Sequence, residues 1–251
     1  MFKALLARAR QGYRTAAYPG EDPGLPALFR GRPVLDPDKC VTGCTACVDV
    51  CPTGALRVTK SGLELDIGRC IFCGDCVAAC PEGAIAFSRD WRLASSKRQG
   101  LVATGDCPLP VDALTRELRR LLGRSLRLRQ VSAGGCNGCE IEVNALANVV
   151  FDSSRFGIDF VASPRHADGV LVTGPVTANM KEALLITYQA IAEPKLVIAA
   201  GACAISGGLY RDHQEVLNGV EGLLPVDLYV PGCPPHPLTI LDGILRLLGR
   251  L

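Results

Sequence analysis

Aromatic residues are scarce in this chain, 5% of 251 residues, and neither sign of charge is in excess, with 27 Lys and Arg against 25 Asp and Glu. Such a composition gives no electrostatic footprint for nucleic acid, and a nucleic-acid partner is not expected. No apolar run reaches the length of a membrane span. The longest, around Leu196 to Ile205, reads as a buried strand, so any meeting with a membrane is expected from outside the bilayer. No secretory leader is recognisable, and no nucleophile–base pair, phosphate-cradling loop or dinucleotide fingerprint is present. The chain therefore carries no complete active site of its own. Cysteine, by contrast, is abundant. There are 13, and 48% of the residues are apolar, enough for a real core in one large or two small domains. The cysteines stand in metal-ligand spacings, which fits a reducing, cytoplasmic setting better than a disulfide scaffold.

Eight of them form two related blocks, KCVTGCTACVDVCPTGA with Cys40, Cys44, Cys47 and Cys51, and RCIFCGDCVAACPEGA with Cys70, Cys73, Cys76 and Cys80. Each block ends Cys-Pro-x-Gly-Ala, the mark of an internal duplication. A four-iron, four-sulfur cube needs thiolates at its corners, and one tight loop supplies three. In two-cluster ferredoxins the cysteine before proline serves the other cluster. The spacing thus predicts one 4Fe-4S cluster on Cys40, Cys44, Cys47 and Cys80, and a second on Cys51, Cys70, Cys73 and Cys76. The first block has one extra residue between Cys40 and Cys44, which a Gly43-containing loop absorbs. Gly43 and Gly74 let the backbone come close to the inorganic core, and their amides can hydrogen-bond its sulfurs. A zinc-stabilised scaffold is the competing reading, although zinc ribbons place a long spacer between two C-x2-C pairs.

Four segments follow from patterning. Residues 1–37 read as an amphipathic helix, with Phe2, Leu5, Leu6 and Tyr13 along one side, followed by a proline-rich extended arm. The helix is expected to cover the domain or to dock on a partner or a membrane surface. Residues 38–88 read as the two-cluster domain, with a β-hairpin of alternating residues on either side of Ser61-Gly62. Residues 89–110, of mixed charge with Gly and Pro, read as a linker in which Cys107 is not a ligand. Residues 111–251 alternate strands (LRLRQVS, IDFVAS, GVLVTG, KLVIAAG, VDLYVPG) with helices, which implies a parallel sheet with helices on both faces. The first helix there, VDALTRELRRLLG, spaces Leu114, Leu118, Leu121 and Leu122 helically. The expected fold is thus an α+β two-cluster domain followed by an α/β domain.

Four further cysteines fall at the ends of these strands: Cys136 and Cys139 after the first, Cys203 after the fourth and Cys233 after the fifth. In open α/β sheets ligands bind at the carboxyl ends of the strands, and four cysteines are what a cube needs. A third 4Fe-4S cluster is expected there. Buried free cysteines are the alternative reading. Glu140 and Glu142 follow the ligand pair, and helix N-terminal acids are the plain reading for both, with a proton relay or a subunit contact as the sharper one. Arg165, His166 and His236 are expected beside the cluster or at an interface rather than as ligands.

The stretches CNGCEIE, SPRHAD-GVLVTGPVT, EPKLVIAAGACAISGG and PGCPPHP resemble the small electron-transfer subunit of energy-converting, membrane-bound nickel–iron hydrogenases. That subunit is itself similar to the complex I subunit that holds the terminal cluster. The front half, with YPG, LFRGRP and the paired cysteine blocks, resembles the two-cluster ferredoxin subunit of formate hydrogenlyase and of complex I. The whole looks like a fusion of the two. The resemblance implies a ferredoxin-like front domain, a flavodoxin-like second domain and three 4Fe-4S clusters passing electrons between an external donor or acceptor protein and the nickel–iron site of a large partner subunit. It also implies membrane-embedded partner subunits, with the chain held peripherally at the cytoplasmic face of the membrane. Complex I proteins of this kind carry two adjacent cysteines at the first position. The split pair Cys136-Asn137-Gly138-Cys139 is the hydrogenase-like form. A quinone-reducing module without nickel is the redox alternative.

Overall fold

The computed structural model describes residues 2–21, 24–60, 62–105, 110–123 and 125–251, and among these residues it has ten strands and eight α-helices. Ser61 and Cys107 lie outside the described residues. Helix α1, Phe2–Gln11, buries none of its residues, so it does not cover the domain. Phe2, Leu5, Leu6 and Tyr13 are all exposed. After it, the arm at Tyr18 is laid against the last helix, α8 (Pro237–Leu247). Tyr18 is buried there, and its hydroxyl donates to Asp242 Oδ1 at 3.0 Å.

The duplicated blocks build a small α+β unit. Strand β1, Pro33–Leu35, pairs antiparallel with β4, Ile85–Phe87, so the chain entering the unit is tied to the chain leaving it. Between them, β2 (Leu56–Thr59) and β3 (Gly62–Asp66) form the antiparallel hairpin that their alternating pattern predicts. Short helices α2 (Ala46–Asp49) and α3 (Asp75–Ala79) follow the two cysteine loops and pack on one another. Each stops just before a Cys-Pro pair, because a residue preceding proline is driven out of the α region.

The described part of the supposed linker, residues 89–105, is packed rather than loose. Val102–Ala103 (β5) adds a third strand to the hairpin, while Leu93, Ala94, Ser95 and Leu101 are buried. Ser95 and Tyr229 exchange backbone hydrogen bonds of 3.0 and 2.8 Å, which stitches this stretch to the second half. Helix α4, Arg116–Leu122, starts later than its leucine spacing suggests. Thr115 caps it by accepting from the Leu118 N–H at 3.4 Å, while the Leu114 N–H bonds Leu247 O at 2.8 Å instead.

The second half holds a five-stranded parallel sheet of β6 (Leu126–Ser132), β7 (Ile158–Phe160), β8 (Gly169–Thr173), β9 (Leu196–Ala200) and β10 (Leu228–Val230). Their spatial order is β10-β9-β8-β6-β7. Period-two alternation sends Val170, Val172, Val197 and Ala199 to one face and Leu171, Leu196, Ile198 and Ala200 to the other. The second face is covered by α5 (Gly138–Ala145) and α8, through Val143, Leu146, Ile240, Leu241 and Ile244. The first face meets α6 (Ala178–Gln189) and α7 (Ala202–Ser206), and its core runs without interruption into that of the front unit. Leu35, Leu56, Leu65, Ile67, Ile85 and Leu101 belong to the same cluster. An ion pair lies on that junction, where Arg98 donates to both Asp66 oxygens at 2.8 and 2.6 Å.

Candidate iron–sulfur sites

In the front unit the structure brings together Cys40, Cys44, Cys47 and Cys80 around a small cavity. Cys51, Cys70, Cys73 and Cys76 surround another. Because α2 and α3 pack together, the cysteine that ends each block lies beside the loop of the other. The repeated Cys-Pro-x-Gly-Ala signature has a local cause. Gly54 and Gly83 sit at φ +58° and +62°, a left-handed turn that suits glycine, and the chain doubles back. The Ala55 N–H then donates to Cys51 Sγ at 3.3 Å, and the Ala84 N–H to Cys80 Sγ at 3.2 Å. In the second loop the Phe72 N–H donates to Cys70 Sγ at 3.3 Å.

A third, roomier cavity is lined by Cys136, Cys139, Cys203 and Cys233. It opens at the carboxyl edge of the parallel sheet. Cys136 and Cys139 follow β6, Gly174 follows β8, Cys203 lies in α7 after β9, and Cys233 follows β10. Strand β6 lies between β7 and β8, so the chain reverses its direction across the sheet at β6 and β8, the kind of point where such sheets take their ligands. The approach is close. A Cβ on Gly201 would lie 2.5 Å from Cys139 Sγ, so no other residue fits that position without displacing the thiol. Cys136 and Cys233 are exposed, so this cavity faces outward.

Burial pushes the Cys70 thiol up to about 12, and those of Cys76 and Cys203 up to about 11, with neighbouring cysteines adding to the effect. Cys47, Cys139 and Cys233 are raised for the same reasons. Burial also acts on Cys51, but hydrogen bonds from Thr53 and Ala55 outweigh it and hold that thiol below its ordinary value. Among the described residues, no group of three or more His, Cys, Asp or Glu side chains is placed to hold a single metal ion. Four cysteines lining one cavity are the donor set that a four-iron cluster takes. The donor sets therefore fit iron–sulfur clusters.

Glu140 is more than a helix-terminal acid. It is buried, with its Oε1 accepting from Ser132 Oγ at 2.5 Å and from Thr173 Oγ1 at 2.7 Å, which joins the ends of β6 and β8 beneath the third cavity. Glu140→Ala leaves both hydroxyls without that acceptor and is expected to cost about 2 kcal/mol. The thermal midpoint should fall by about 4–8 °C, with Glu140→Gln falling less. Scanning calorimetry of the full chain checks this. Glu142 is half-buried and lines a separate cleft beside Cys233 and His236, where burial pushes its carboxyl up. The His236 Nδ1 accepts from the Leu238 N–H at 3.2 Å, burial holds the imidazole below its ordinary value, and Phe29 and Phe151 pack edge-on against the ring. Arg165 and His166 are exposed in the turn before β8, away from the residues that line the third cavity. The sequence reading missed Arg30, in the arm, which bonds the carbonyls of Phe72 and Cys73 in the second cysteine loop. A basic residue in an extended arm carries no local signal for such a contact.

Residues 136–247 match the family model described as the 20 kDa subunit of NADH ubiquinone oxidoreductase, and residues 32–88 match a 4Fe-4S dicluster domain. Formate hydrogenlyase subunit 7 of Escherichia coli is 44% identical over 148 residues, which make up 57% of this chain and 58% of that protein. The probable membrane-bound hydrogenase subunit mbhJ of Pyrococcus furiosus is 42% identical over 135 residues, 54% of this chain and 81% of that protein. The chain belongs to the 20 kDa subunit family of NADH ubiquinone oxidoreductase. Within that family, NAD(P)H-quinone oxidoreductase subunit K of Picosynechococcus is 50% identical over 110 residues, 43% of this chain and 45% of that protein. The chain spans just over half the length of formate hydrogenlyase subunit 7. It joins a dicluster domain to the family's domain in one polypeptide.

Proposed function

We propose that this chain is the electron-transfer subunit of a membrane-associated hydrogenase complex, holding three 4Fe-4S clusters. Support comes above all from the three cavities, each walled by four cysteines drawn from distant parts of the chain. Cys40, Cys44, Cys47 and Cys80 would hold the first cluster, Cys51, Cys70, Cys73 and Cys76 the second, and Cys136, Cys139, Cys203 and Cys233 the third. Such clusters supply one-electron transfer over a wide range of potentials. The amides of Ala55, Phe72 and Ala84, already bonded to sulfur, would stabilise negative charge at their sites. Counted within the sheet, the strand order is 2-1-3-4-5, which supports the flavodoxin-like reading of the second domain. The front unit, through residue 88, is read as ferredoxin-like, and 111–251 as the second domain.

The exposed third cavity is read as the side that meets a large partner subunit with a nickel–iron site. An external donor or acceptor protein would serve the front unit. Among the described residues no helix is long and apolar enough to cross a membrane. The chain is accordingly proposed to sit at the cytoplasmic face through membrane-embedded partners. The match to complex I relatives supports a second reading, a quinone-reducing module without nickel. The full chain purified without oxygen is expected to be brown and to be bleached by dithionite, with paramagnetic signals appearing on reduction. A colourless, zinc-containing protein would sink the electron-transfer reading. Nickel in the large subunit that co-purifies with a tagged chain supports the hydrogenase reading, and a large subunit free of nickel favours the quinone-reducing one.

A further inference from the structure

The arm that precedes β1 passes over the second cysteine loop, and just after Arg30 its backbone is tied to the segment that leaves β4. The Gly31 N–H bonds Ser88 O at 2.9 Å, and the Arg32 N–H bonds Asp90 O at 2.8 Å. A Cβ on Gly31 would lie 2.4 Å from Asp90 O, so the two segments are in direct backbone contact. This anchoring delivers Arg30 to one place. Its Nη1 donates to Phe72 O at 2.8 Å and also to Cys73 O. The guanidinium lies against Gly74, where a Cβ would stand 3.2 to 3.4 Å from Cζ, Nη1 and Nη2. Cys73 and Gly74 line the second cavity, and Arg30 lines a cleft that also contains Phe72 and Cys233. The cation thus stands on the flank between the second and third cysteine sites.

We propose that Arg30 is a positioning residue that raises the reduction potential of the second cluster and so sets the driving force of the electron step next to it. The inference rests on the cluster reading given above. Two effects of the same sign carry it. First, reduction adds one negative charge to the site, and a guanidinium held against the loop favours the reduced state. Arginine suits this, because a terminal guanidinium nitrogen carries two N–H donors, and Nη1 here serves both carbonyls. Second, in a trans peptide the N–H points opposite to the C=O. Holding the Phe72 and Cys73 carbonyls on the outer side turns the N–H groups of Cys73 and Gly74 toward the cavity. Amides aimed at cluster sulfur raise its potential.

The test is a redox titration of the full-length chain, followed by electron paramagnetic resonance, for the parent protein and for Arg30→Gln and Arg30→Lys. Cys73→Ser identifies the second cluster by altering its signal. Arg30→Gln is expected to keep its iron content and to move the second cluster to a more negative potential, leaving the other two in place. Arg30→Lys, which keeps the charge but puts it on a flexible stem without the planar group that lies against Gly74, should shift less in the same direction. Because Arg30 is exposed, the gap between parent and Arg30→Gln should narrow as salt rises. A contact that only holds the loop's shape would show no such salt dependence. An unmoved potential in Arg30→Gln, or a shift confined to the Cys40 set, overturns the proposal. Should Arg30→Gln lose the second cluster outright, the titration of Arg30→Lys decides, with no shift counting against it. A parent chain without iron or signals would instead remove the cluster reading itself.

Discussion

Replacing Cys233 with alanine is expected to lower the iron content of the anaerobically prepared chain from about twelve atoms to about eight, with labile sulfide falling in step. Cys233 shares its cavity with Cys136, Cys139 and Cys203, and among the residues lining that cavity no other sulfur stands ready to replace it. Alanine is preferable to serine, whose oxygen can itself take a metal. The neighbouring Glu140 is already engaged by Ser132 and Thr173. The other eight cysteines surround cavities in the front unit, so their iron should be untouched. A Cys233→Ala protein that retained about twelve irons would remove Cys233 from the ligand set. One that held none would show that the third site is required for the front unit to fold. The continuous core makes that second outcome worth checking by circular dichroism.

Cys80→Ala and Cys44→Ala are expected to abolish the same paramagnetic signal, although the two residues come from different sequence blocks. Cys51→Ala and Cys73→Ala should abolish the other front-unit signal. Each variant should lose about four irons. The expectation follows from the pairing of α2 with α3, which sets each Cys-Pro end beside the opposite loop. If Cys80→Ala and Cys76→Ala removed the same signal instead, each block would be holding its own cluster and the crossed assignment would be wrong.

The duplicated cysteine blocks were legible because their information is local. A tight loop can present only a few spacings, and Cys-Pro-x-Gly-Ala encodes its own turn through the left-handed glycine and the returning alanine amide. The five strands were legible for a similar reason, since buried parallel strands read as short apolar runs between turn signals. Placing Cys136, Cys139, Cys203 and Cys233 at one edge then needed only the rule that parallel strands end on the same side. Other features depended on which surfaces meet. Residues 89–110 have a linker's composition, yet Ser95 is held by backbone bonds to Tyr229, which any residue type could make. Arg30 reaches the carbonyls of Phe72 and Cys73, groups that every residue carries, so no side-chain pattern announces the contact. Glu140 read as a helix-terminal acid because Ser132 and Thr173 become its neighbours only once β6 and β8 lie side by side. The amphipathic spacing of α1 was plain, but periodicity says only that a helix has an apolar side. Whether anything covers that side is a property of the fold, and here Phe2, Leu5 and Leu6 stand exposed. The sequence by itself determined the cysteine loops and the strand pattern, because both are set by chain stiffness and short-range sterics. The tertiary structure alone decided how the two halves share a core and which side chains reach the cysteine loops, because those contacts join residues far apart along the chain.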